Sequence, residues 1–100
     1  MSNSPTLSEG QVQRIAEILM QYAPEGWLLL TMVYRTNENM TNIETWAKTC
    51  KTSKHGFVLD DTDADAMEEI FEEKWIETGK SWSMSAFTLD SNGNYNISFQ

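Results

Sequence analysis

Cysteine is nearly absent from this 100-residue chain: Cys50 stands alone. No disulfide can form within it, so the fold has to rest on a packed core, and a lone thiol suits a reducing compartment. Histidine is as scarce, and one Cys with one His leaves at least two zinc ligands to find among scattered carboxylates. Cys50 and His55 could meet across one loop. Nothing nearby supplies an orienting acid or an oxyanion hole for nucleophilic catalysis. Glycine-rich phosphate loops, internal repeats and low-complexity segments are missing as well. No apolar run exceeds Trp27-Leu28-Leu29-Leu30, whereas a helix needs about 18–20 apolar residues to span a bilayer. Bases are few, seven against fifteen acids with a pI near 4.4. That argues against nucleic acid as a partner, because phosphate binding requires clustered Lys and Arg.

What is present fits a single domain over residues 1–100, long enough to bury roughly two-thirds of the surface its unfolded chain exposes. The start, Met1 to Thr6, has neither a basic region nor an apolar run, so no export signal is expected and the cytoplasm is the expected location. Residues 1–7 read as a frayed lead-in. Ser8 and Gln11 then have capping-box spacing, and Val12, Ile15, Ala16, Leu19, Tyr22 and Ala23 recur at helical spacing. An amphipathic helix is expected from Ser8 to about Ala23, ended by Pro24 and Gly26. Trp27 to Arg35 is apolar on both alternating sets, which implies a strand covered on both faces or a central one. Ile43 to Cys50 reads as a second strand, and Phe57-Val58-Leu59 as a short strand or a core anchor.

Between Asp60 and Glu77 stand nine carboxylates and one base, Lys74, which accounts for the whole formal net charge of −8. Within that run Met67, Ile70, Phe71 and Trp75 form one helical stripe. Thr62 or Asp63 can cap the helix, acids suit its first turn, and Gly79 stops it. Next, Ser81–Leu89 and Asn94–Gln100 flank the turn signal Asn92-Gly93. A two-residue loop there places Trp82, Met84, Ala86 and Thr88 on one face with Tyr95, Ile97 and Phe99. A bulged three-residue loop would separate those sets, so the pattern argues against it. The expected fold is α+β, two amphipathic helices packed on one face of a four- to five-stranded antiparallel sheet, in the order α-β-β-(β)-α-β-β.

Two readings of the acidic run carry chemistry. Asp61-x-Asp63-x-Asp65 with Glu72 matches several positions of an EF-hand loop, but Ala66 stands where the sharp turn needs Gly and Glu68 where an apolar residue belongs. Calcium binding is thus an alternative, as is self-association or a homodimer through Phe87, Leu89 and the C-terminal hairpin edge. The other reading is partner docking. Glu68/Glu72 and Glu69/Glu73 are like-charge i,i+4 pairs, each costing a few tenths of a kcal/mol, and a one-signed surface draws an oppositely charged partner. Glu68, Glu69, Glu72, Glu73, Asp65 and Asp61 are the expected partner-binding residues, with no cofactor and no metal.

The ends of the chain carry a resemblance. Ile15-Ala16-Glu17-Ile18-Leu19 running into Ala23-Pro24-Glu25-Gly26-Trp27, then Ser81 through Asp90 with Gly93, Tyr95 and Phe99, is similar to the YezG-like immunity proteins of bacterial polymorphic toxin and contact-dependent inhibition systems. The likeness covers roughly the first and last quarters and no part of the acidic helix. It implies a non-enzymatic protein that neutralises a cognate basic toxin domain, often a nuclease, in the cytoplasm of the producing cell. The shared motif contains no functional residues, so the expected docking face comes from charge alone.

Overall fold

The structure is a computed structural model that describes residues 6–100, so most of the lead-in segment lies outside the described residues. Its elements run α1 (Glu9–Gln21), β1 (Trp27–Thr36), β2 (Thr41–Thr49), β3 (His55–Phe57), α2 (Asp61–Glu77), β4 (Met84–Asp90) and β5 (Tyr95–Phe99). The capping box forms at α1: the Gln11 N–H donates to Ser8 Oγ at 3.2 Å and the Ser8 N–H to Gln11 Oε1 at 2.9 Å. The helix stops at Gln21, short of Ala23, because the residue before Pro24 is pushed out of helical geometry. Gly26, at φ +76°, completes the turn into β1.

The five strands form one antiparallel sheet in the order β3-β2-β1-β4-β5. Strand β1 is central, which is why its apolar content is so high. Leu30, Met32 and Tyr34 point to the helices and join Ile15, Ile18, Leu19, Met67 and Phe71 in the core. Among the described residues, the opposite face of β1 has no second layer. Thr31 and Val33 are screened there by cross-strand neighbours, Trp46 and Thr88 beside Thr31, Glu44 and Ala86 beside Val33, and Leu28 is exposed. Of the two expectations for β1, the central strand holds and the doubly covered strand does not.

The C-terminal hairpin corrects the expected register. Ser85 pairs with Phe99, Phe87 with Ile97 and Leu89 with Tyr95, so Ser91-Asn92-Gly93 is a three-residue loop. Its geometry is set by Asp90, whose carboxylate accepts from the N–H groups of Asn92 and Asn94, both at 2.9 Å, while Gly93 takes φ +91°. A left-handed glycine at the loop's end is the signature of that turn. The core-facing set is therefore Ser85, Phe87 and Leu89 with Tyr95, Ile97 and Phe99, whereas Met84, Ala86 and Thr88 line the helix-free face. Phe87 and Leu89 are buried against the helices, so neither is free for a contact between copies. The β5 edge itself is open.

Helix α2 is capped by Asp60, two residues before Thr62 and three before Asp63. Its carboxylate accepts the Asp63 N–H at 2.8 Å, leaving Asp61 and Asp63 in the first turn. Two polar joints hold the helix ends. At the start, the Tyr22 hydroxyl donates to Asp63 Oδ2 at 2.6 Å, accepts from the Asp60 N–H, and its ring stacks on Phe57. At the finish, the Trp75 indole donates to the Trp82 carbonyl at 2.7 Å and the Trp82 indole to Thr78 Oγ1 at 3.0 Å. Thr78 caps the helix, and Gly79 and Lys80 then reverse the chain at positive φ. Among the described residues no helix is long and apolar enough to cross a membrane.

Candidate functional site

All six acids expected to bind a partner lie on one side of α2. Helical geometry advances about 100° per residue, so spacings of three and four align side chains into ridges. Asp61, Asp65, Glu68 and Glu72 form one ridge, and Asp65, Glu69 and Glu73 the next. They turn away from Met67 and Phe71, which are buried beneath, with Phe71 stacked on Tyr34 at 5.0 Å. Five of the six are exposed and Glu68 is half-buried. Ile76, 59% exposed, extends the second ridge and adds an apolar group at its end.

Among the described residues no ion pair compensates this face. The ion pairs among the described residues are Arg35–Glu44, Lys74–Glu77 and Lys80–Glu38, and none includes any of the six. Lys74, the one base on α2, has its side chain 12% exposed and reaches Glu77 at 3.3 Å. Other bases are spent elsewhere: Lys54 Nζ sits 4.3 Å over the Trp46 ring on the helix-free face, and Lys80 lies 5.1 Å from the Trp75 ring. The acidic face also reaches inward. Burial pushes the Tyr34 phenol up; the Thr36 and Thr41 hydroxyls pull it back, and the negative charge of Glu72 and Glu68 adds to the rise.

Other candidates separate. Asp61, Asp63 and Asp65 belong to a continuous helix, not to the loop a calcium site of this spacing requires, and Asp63 is engaged by Tyr22. Among the described residues no three His, Cys, Asp or Glu side chains gather as a metal site. Cys50 is exposed just past β2, not a covered strand residue, and His55 opens β3 on the surface.

A groove of about 490 Å³ beside α2 is not evident from periodicity. It lies where β3 ends after three residues while β2 continues. Ile43, Phe57, Leu59 and Ala64 line it, and Glu68 forms part of its α2 wall. The sequence holds one signal for it: Val58-Leu59-Asp60 sets an exposed residue, a core anchor and a helix cap in succession, which takes the chain off the sheet edge. No protein-family model matches the chain, and no curated protein matches it.

Proposed function

We propose that this chain is a cytoplasmic immunity protein that binds and neutralises a basic toxin domain, a nuclease in the first instance, without catalysis. The observation that carries the reading is the acidic face of α2, with Asp61, Asp65, Glu68, Glu69, Glu72 and Glu73 aligned and, among the described residues, in no ion pair. Like charges at i,i+4 cost folding stability; a partner whose bases meet them returns that cost on binding. A nuclease surface built for phosphates carries the matching bases, and carboxylates can occupy the places of phosphates. The resemblance of the chain's ends to YezG-like immunity proteins supports the same class, while the α+β fold by itself favours no function.

Affinity capture from the source cell, read by mass spectrometry, identifies the partner, and a neighbouring reading frame for a long secreted protein with a basic C-terminal domain is the genetic counterpart. With the partner in hand, calorimetry of Glu69→Lys, Glu72→Lys and Glu73→Lys combined tests the face. Loss of affinity by at least about a hundredfold, with steep salt dependence in the wild type, is expected. An unchanged and salt-independent affinity rules out electrostatic docking.

A further inference from the structure

The groove beside α2 ends on an unpaired strand edge. Strand β3 pairs only with Thr45, Trp46 and Ala47, while β2 begins at Thr41. Past Phe57 the chain leaves the sheet: Val58 is 88% exposed, Leu59 turns into the core and Asp60 caps α2. Among the described residues, the sheet along Thr41 to Glu44 therefore has a neighbour on one side, β1, and none on the other. Ladder alternation fixes which groups face outward. The Asn37 N–H donates to the Met40 carbonyl at 3.0 Å where β1 turns into β2, so Asn42 and Glu44 bond toward β1, and Thr41 and Ile43 turn their N–H and C=O groups to the open side. Thr45, next in that outward series, is the residue that β3 engages through Phe57.

We infer that this groove takes an extended segment of a basic partner, added as a strand along Thr41–Glu44, with a lysine or arginine held against Glu68. The inference rests on the proposed partner binding and names where and how one part of the partner docks. Side chains of an added strand alternate between the two faces of the sheet. Those on the helix side meet Ile43, Leu59, Ala64 and the half-buried Glu68. Those on the other side meet Glu44, already paired with Arg35 at 3.3 Å, and Trp46 under Lys54. That rim is aromatic and charge-balanced, so the fitting segment alternates a base with an apolar residue. A second copy of this chain does not supply it, because its sheet edges, His55–Phe57, Thr41–Glu44 and Tyr95–Phe99, carry no lysine or arginine.

The test uses the full chain, ¹⁵N-labelled, at low salt, with an end-blocked octapeptide of alternating lysine and valine as probe. Amide exchange at Thr41 and Ile43 is expected to slow about tenfold or more on saturation, while Asn42 and Glu44, already bonded to β1, change little. Glu68→Lys is expected to abolish the slowing, and Glu17→Lys, exposed on α1 and outside the acidic face, to keep it. Shifts confined to Glu69, Glu72 and Glu73 overturn strand addition and leave acidic-face docking standing. Equal loss in the two variants overturns the assignment to Glu68, and absence of any shift on β2 or α2 counts against both strand addition and electrostatic docking.

Discussion

Thirteen residues of α1 bury Val12, Ile15, Ile18 and Leu19, whereas seventeen residues of α2 bury only Met67 and Phe71. The outward side of α1 mixes Gln13, Arg14 and Glu17, with Gln13 Nε2 donating to Glu17 at 3.1 Å, while that of α2 is a field of unpaired acids. A helix that mainly folds buries a broad stripe and balances its surface. By that measure α2 is under-buried and over-charged. It is held by two fully buried core residues, by the partly buried Ile70 and Trp75, and by hydrogen-bonded joints at its ends, which leaves the outward surface between them free for another use.

The largest effect expected from this contrast is at the narrow core stripe of α2. Phe71→Ala should cost about 3–5 kcal/mol in urea unfolding, because the ring is fully buried on Tyr34 and, Met67 apart, the α2 side chains packed on the core, Ala64, Ala66, Ile70 and Trp75, are only partly buried. Ile15→Ala should cost about 2–5 kcal/mol, with more neighbouring residues left to share the load. At the second joint, Trp75→Phe keeps most of the packing and leaves the Trp82 carbonyl without its donor. About 1–2 kcal/mol is expected, and a larger share of the loss should appear as faster amide exchange in the last turn of α2. Removing the α1 cap by Ser8→Ala should cost about 1 kcal/mol, with no change in amide protection on α2.

The hairpin carries a pH effect of its own. The Asn94 N–H, foremost, then the Asn94 side chain and the N–H groups of Asn92 and Gly93 hold Asp90 below its ordinary value of 3.8, against a smaller opposing effect of burial. A depressed folded-state value contributes stability that is present above about pH 3.8 and is lost as pH falls through the folded value. Carbon-detected titration should find Asp90 protonating below its ordinary value, with protection at Asn92 and Asn94 fading over the same interval. Smallest of all, Glu73→Gln should raise stability by a few tenths of a kcal/mol at low salt, since it relieves repulsion with Glu69.

Much of the fold was legible because periodic burial dictates it: the capped α1, the apolar β1, the stripe on α2 and the antiparallel order with both helices on one face. The hairpin register was not, because the strong Asn92-Gly93 signal belongs equally to a loop in which Gly93 alone is left-handed, and the choice is made by Asp90, two residues before Asn92. The sheet's uncovered face was hidden for a related reason. Cross-strand side chains can screen Thr31 and Val33 as completely as a second layer would, so apolar content on both sets did not imply two layers. The six acids were legible as one helical face, since spacing alone aligns them. The groove at Ile43 and Glu68 was not, because it arises from where β3 leaves the sheet.

The claim that the acidic face of α2 exists for something other than folding is tested most directly by the stability of one variant, Glu69→Gln, Glu72→Gln and Glu73→Gln combined, at low and high salt. If the face is uncompensated charge, unfolding free energy should rise by about 0.5–1 kcal/mol at low salt, and the gain should shrink toward zero as salt screens the wild-type repulsion. A loss of stability that persists at high salt would show that these carboxylates hold the fold together, and would contradict the account.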